Sequence, residues 1–175
     1  MATSAAKGQT DLLDQIDWPS VECLNESSDH PVANALKQGY RDDDGLILES
    51  DADEQILLTV PFQQVVKLHS LGLKAPSDSG PKKVKLFTNR TSLGFSEATD
   101  GLVPQQEIIF TPEQLDGTPI PLKYVKFQGV RSLTIFVESN QEDEDTTKIQ
   151  KILLLGSTVE TTDMKALKKV DEHQH

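Results

Sequence analysis

The sequence predicts an all-β domain of two packed antiparallel sheets with one or two short helices, and three observations support it. From residue 46 onward, β-branched and aromatic residues gather in short runs bounded by turn residues. Within those runs Val84/Leu86, Ile108/Phe110 and Leu133/Ile135/Val137 alternate at period two, as strands with one buried face do. No repeat of solenoid length interrupts the series, and helical periodicity is confined to a few short stretches.

Residues 1–10, beginning Met1-Ala2-Thr3-Ser4, have no apolar core and read as a disordered leader. A short helical turn is expected over 10–16, with Thr10 as N-cap and Leu12, Leu13 and Ile16 on one side. Another is expected over 29–39, with Pro31 in its first turn and Gly39 supplying a left-handed C-terminal residue. Strands are expected over 46–49, 55–60, 64–70, 83–88, 107–110, 122–128, 132–138 and 148–155. Pro61 cannot donate to a ladder, so a bend or bulge is expected between the second and third runs. Ile152 to Leu155 are apolar on both faces and suit a central strand. Loops are expected over 72–81 and 94–106, and over 140–145, whose like charges keep it solvated. Thr161 and Thr162 suit the cap of a short helix through Met164, Leu167 and Val170, and 171–175 form a flexible tail.

Seventeen Lys and Arg against 28 Asp and Glu give a net charge of −11 over 175 residues, 36% of them hydrophobic. That length suits one packed domain without disulfide or metal support. Phosphate recognition needs a clustered basic face, and the densest basic run, Lys82-Lys83-Val84-Lys85, is short, so no nucleic-acid partner is expected. No run of about 18 apolar residues exists, so no membrane span is expected. Cys23 is the single cysteine, which excludes an intrachain disulfide and a Cys-x-x-Cys pair; a monomer in the cytoplasm or nucleus is expected.

Catalytic signatures are missing: there is no G-x-S-x-G elbow, Walker A loop, G-x-G-x-x-G turn or H-E-x-x-H helix. His69 shares a strand face with Val65, Lys67 and Leu71 and is read as a strand histidine, and His30 sits beside no nucleophile motif. Asp51, Asp53 and Glu54 lie in one turn whose oxygens could collect Ca²⁺, although the spacing is not that of an EF-hand, and a solvated turn is the first reading. Arg41-Asp42-Asp43-Asp44-Gly45 reads as a second acidic turn. Trp18 is read as a structural anchor and Cys23 as a buried, inert thiol. Asn25-Glu26-Ser27 and Asn89-Arg90-Thr91 fit the glycosylation pattern by chance and receive no role. Phe136 is expected to be buried despite its position on the outward phase of its run.

Longer segments carry a resemblance. Residues 48–67, Leu-Glu-Ser-Asp-Ala-Asp-Glu-Gln-Ile-Leu-Leu-Thr-Val-Pro-Phe-Gln-Gln-Val-Val-Lys, look like the signature of the PITH domain, the proteasome-interacting domain of thioredoxin-like proteins. Leu24-Asn25-Glu26, Lys85-Leu86-Phe87-Thr88-Asn89, Val125 to Val130, Ser132 to Val137, Thr146 to Ile149 and Leu155-Gly156 follow in family order, and the domain is taken as 11–170. The resemblance implies a jelly-roll β-sandwich similar to galactose-binding-like domains. It also implies a non-enzymatic interaction module that associates with the regulatory particle of the 26S proteasome, without a cofactor. The chain resembles a free-standing form without the thioredoxin domain, so redox activity is not carried over. The alternative is a module that binds a small ligand, a carbohydrate or Ca²⁺, through its end loops. For the tail, the proteasome lid's zinc-dependent deubiquitinase suggests that His175 serves as a zinc ligand in trans, supported by His173, while the free protein holds no metal.

Overall fold

A computed structural model describes residues 10–37, 43, 45–90 and 92–159. In chain order the strands are β1 (Thr10–Asp11), β2 (Glu22–Leu24), β3 (Leu48–Glu49), β4 (Ile56–Lys74), β5 (Pro81–Thr88), β6 (Gln106–Ile109), β7 (Ile120–Pro121), β8 (Val130–Asn140), β9 (Lys148–Ile149) and β10 (Lys151–Thr158), with one helix, α1 (Val32–Leu36), between β2 and β3. All pairings are antiparallel.

β4 organises the sandwich because it belongs to both layers. Ile56 to Pro61 pair with β8, and Leu57 to Thr59 pair with β2 on the other side. Val66 to Lys74 pair with β10, and Ser70 and Leu71 with β7. The strand path therefore runs β1-β10-β4-β8-β5-β6 and folds over at β4. The two runs expected on either side of Pro61 are one continuous 19-residue strand. The interruption is a register break between Pro61 and Val66, where four residues of β4 pass one residue of β8. Phe62 turns into the core there, and Gln63 and Gln64 donate to Ile16 O (3.2 Å) and Gln15 Oε1 (2.7 Å).

A second irregularity changes which side chains face inward. Leu155 pairs with Ser70 and Gly156 with Leu68, so His69 is an extra residue on β4. Inward side chains run Ile56, Leu58, Val60, then Val66, Leu68, and after the bulge Leu71, Leu73. Leu71 therefore enters the core and does not share the half-buried face of Val65 and Lys67, as uninterrupted alternation requires. Opposite the bulge the backbones close to a distance only glycine permits: a Cβ on Gly156 falls 1.9 Å from Lys67 O.

The remaining expectations meet the structure unevenly. The 10–16 turn is a 3₁₀ turn over Leu12–Gln15 capped by Asp11, whose Oδ1 accepts from Leu13 N (2.9 Å); Thr10 instead begins β1. Leu12, Leu13 and Ile16 are buried as the pattern requires. The 29–39 helix shortens to α1, with Pro31 at its N-cap and Lys37 as its C-cap in the left-handed conformation (φ 57°), while Gly39 falls outside the described residues. Lys37 takes that conformation while its ammonium donates to the carbonyls of Asp43 and Leu46. The 122–128 run is not a strand. Leu122 and Phe127 both enter the core, five residues apart, and the intervening chain makes a 3₁₀ turn over Tyr124–Lys126. Ile152 to Leu155 lie in β10, which among the described residues has just the two-residue β1 on its outer side; β4 and β8 hold the centre. The strand expected over 46–49 pairs only at Leu48–Glu49. The helix proposed from Thr161 falls outside the described residues.

The 94–106 loop is a strap across the outer face of β4, β8 and β5. A π-helical turn (Glu97–Gly101) places Ala98 against Leu57, Phe87 and Phe136, with Leu93, Phe95 and Leu102 packed around them. Phe95 meets Phe136 edge-on, with centroids 6.1 Å apart, which is how an outward-phase phenylalanine becomes fully buried. Lys85 ties the strap down, donating to Thr99 O (2.8 Å) and standing 3.1 Å from Glu138 Oε1.

The close approach at Gly156 gives a direct test. Gly156→Ala should lower the unfolding free energy by about 3 kcal/mol. Gly129→Ala, with nothing within 4 Å of the added carbon, should stay within about 0.5 kcal/mol of the parent in the same urea titration.

Candidate functional site

Two acidic turns, distant in sequence, meet at one end of the sandwich. β3 and β9 form a two-stranded ladder that brings the chain entering 50–55 beside the chain leaving 141–147. Ser50 N donates to Thr147 O (3.0 Å), and Thr147 N returns a bond to Ser50 Oγ (2.8 Å). Thr147 Oγ1 donates to Glu54 O (2.6 Å), and Thr146 Oγ1 to Glu49 Oε2 (2.7 Å). Ser50, Asn140 and Thr147 are buried, so these bonds satisfy polar groups that water does not reach.

Two asparagines shape the turns. Asn140 donates from Nδ2 to Glu144 O (3.0 Å) and Thr146 O (3.2 Å), while its Oδ1 accepts from Glu144 N (2.8 Å). Asn25, held in the left-handed region (φ 71°), donates to Asp53 Oδ1 (2.8 Å) and Gln55 O (2.7 Å) and accepts from Ala52 N (3.0 Å). Its amide nitrogen is thus committed to Asp53 and Gln55.

Between the turns lies a groove of about 430 Å³ whose walls include Asp51, Asp53, Glu54, Asp143, Glu144 and Asp145. Five of these are exposed and Glu54 is half-buried. None forms an ion pair among the described residues, where the pairs are His30–Glu49 and the contacts of Lys83 and Lys85 with Glu138. The expected trio Asp51, Asp53 and Glu54 therefore lies beside a second acidic turn that sequence spacing does not connect to it. No three ligating side chains converge in metal-holding geometry among the described residues. Asp53 Oδ1 already accepts from Asn25 and from Gln55 N (3.0 Å). What the groove offers chemically is uncompensated negative charge on a fixed frame, suited to a cationic group.

The other singled-out residues lie apart. His69 sits at the β4 bulge with its Nδ1 against the hydroxyl of buried Ser70, and its carbonyl accepts from Leu122 N (2.8 Å). Cys23 is on β2, half-buried; burial and the neighbouring Glu26 carboxylate push its thiol well above the ordinary cysteine range, which suppresses the reactive thiolate. Trp18 packs partly buried against the main core. His173 and His175 fall outside the described residues.

A protein-family model described as the PITH domain matches residues 2–172. The chain is 38% identical over 176 residues to thioredoxin-like protein 1 of Schizosaccharomyces pombe, covering 97% of this chain and 59% of that protein. It is 36% identical over 151 residues to a PITH domain-containing protein of Drosophila melanogaster, covering 85% and 70%. Among solved structures, the family 32 carbohydrate-binding module of Clostridium perfringens NanJ, in complex with galactose, superposes with a TM-score of 0.61 at 8% identity, over 84% of this chain and 98% of that one. A second family 32 module, from a family 31 glycoside hydrolase of the same organism, gives 0.61 at 11%, over 90% and 100%. These likenesses establish the galactose-binding-like sandwich; at such identity they speak of fold alone.

The frame of the groove can be tested without any ligand. Asn140→Ala leaves the carbonyls of Glu144 and Thr146 and the buried Thr147 Oγ1, which Asn140 Nδ2 reaches at 3.3 Å, without that donor and should cost about 2–3 kcal/mol in stability. Amide exchange should accelerate across 141–147 while β5 retains its protection.

Proposed function

The chain belongs to the PITH domain family, and from that premise we propose that it is a non-enzymatic protein-interaction module that associates with the regulatory particle of the 26S proteasome. The observation that carries this reading is the family match over residues 2–172. The Drosophila melanogaster relative is named for the domain it contains, not for a reaction, and thioredoxin-like protein 1 contains a comparable region within a longer chain. The module would act in the cytoplasm or nucleus, as a monomer with no cofactor. Its contribution is a rigid sandwich presenting preformed loops. In the same reading His175, with His173 beside it, supplies a zinc ligand in trans to the lid deubiquitinase.

The alternative, a module for a carbohydrate or Ca²⁺, draws on the fold shared with galactose-bound modules and on the groove that joins Asp51, Asp53 and Glu54 to 143–145.

Tagged chain added to ATP-containing cell extract should retain 26S regulatory subunits. Removal of residues 171–175, or His175→Ala, should weaken that retention and relieve any inhibition of lid deubiquitination. No retained subunits, together with Ca²⁺- or galactose-dependent amide shifts confined to 51–54 and 143–145, would replace the interaction reading with the small-ligand one. Equal retention by the three chains would remove the tail from the mechanism.

A further inference from the structure

The end of β8 away from the acidic groove carries a surface of opposite character. Leu122 and Phe127 are sunk in the core, and the turn between them pushes Lys123, Tyr124, Val125 and Lys126 outward, all four exposed. Val125 is 81% exposed and Tyr124 54%. Gln128 Nε2 closes the turn on Tyr124 O (2.8 Å), and Lys123 N donates to Gln106 Oε1 (2.7 Å), fixing the turn beside β6. Asn89, in the left-handed region (φ 59°), donates to Gly129 O (3.0 Å) and accepts from Arg131 N (2.7 Å), which brings Arg90 and Arg131 to the same tip. Val103, 86% exposed, precedes Gln105, whose N–H reaches Leu86 O (2.8 Å) near that end of β5.

Arg90, Lys123, Lys126 and Arg131 are all exposed, and none has a carboxylate partner among the described residues. Glu107 is the exposed carboxylate of the flanking strand β6. Four cations around two exposed apolar side chains stand out on a chain whose net charge is −11.

We propose that this tip is a docking surface for an acidic protein segment that carries apolar side chains among its carboxylates. The inference rests on the interaction-module reading and adds the partner's chemistry. Charge complementarity selects the occupant: the acidic end of the molecule repels such a segment, and the tip attracts it. Tyr124 and Val125, set between the two lysines, give it an apolar contact that desolvates on binding.

The test uses three probes followed by backbone amide NMR: a synthetic dodecapeptide alternating Glu with Leu and Phe, its counterpart with Lys for Glu, and phosphatidylcholine vesicles containing phosphatidylserine. The acidic peptide should shift the amides of 89–90, 123–126 and 131, its binding should weaken with salt, and Lys123→Glu with Lys126→Glu should reduce affinity at least tenfold at unchanged melting temperature. Val125→Ser should weaken binding while leaving the charges intact. Shifts elsewhere, or vesicles occupying the tip while the acidic peptide leaves it untouched, would overturn the proposal. Retention of the regulatory particle separates the two readings. If the parent chain retains it and the double variant retains it equally, the tip is excluded as the docking surface. If the parent chain retains none, the proposed partner fails and the peptide titration alone decides the tip.

Discussion

A single strand shared by two sheets is the constraint from which the rest of this structure follows. Because β4 pairs first with β8 and β2 and then with β10 and β7, the relative setting of the layers is fixed by covalent continuity as well as by packing. The 62–65 crossing and the extra residue at His69 decide which side chains reach the core. Val60, Val66, Leu68, Leu71 and Leu73 are completely buried along one strand, each with about 1.5–3 kcal/mol at stake in its burial. A slip of one residue in either half would turn that set toward the wrong face.

The loops obey a different rule. Asparagines recur among the side chains that hold them: Asn25 and Asn89 take up left-handed backbone, where asparagine is tolerated, and each uses its amide to bind a segment remote in sequence. Asn140, without a left-handed backbone, uses its amide to close the turn that follows it. Such bonds have direction and leave little freedom, so the carboxylates of the groove can remain close together without a cation between them. Stability invested in buried amides and hydroxyls keeps like charges at the surface in place.

The sequence is most legible where periodicity and burial agree. Val84/Leu86 and Leu133/Ile135/Val137 lie in β5 and β8 with their alternation intact, and the galactose-binding-like sandwich implied by the segment 48–67 is the fold observed. It is least legible where one residue changes the phase or a buried pair hides a turn. The bulge at His69 carries no local signal except Gly156, which is distant in sequence, and Leu122 with Phe127 imitates a strand because every residue type between them suits one. The acidic groove was visible as two separate turns. Their meeting depends on Ser50, Thr147 and Asn140, which in sequence are ordinary polar residues.

β8 spans 11 residues, roughly 35 Å at the rise of an extended strand. The acidic groove lies beyond one end and the cationic turn beyond the other, so among the described residues these two patches of opposite charge are separated along this strand. A pair of opposite charge patches held apart in this way experiences a torque in an external field. In general, such a separation lets a second charged surface orient an approaching molecule before contact, which raises the share of encounters that meet face to face.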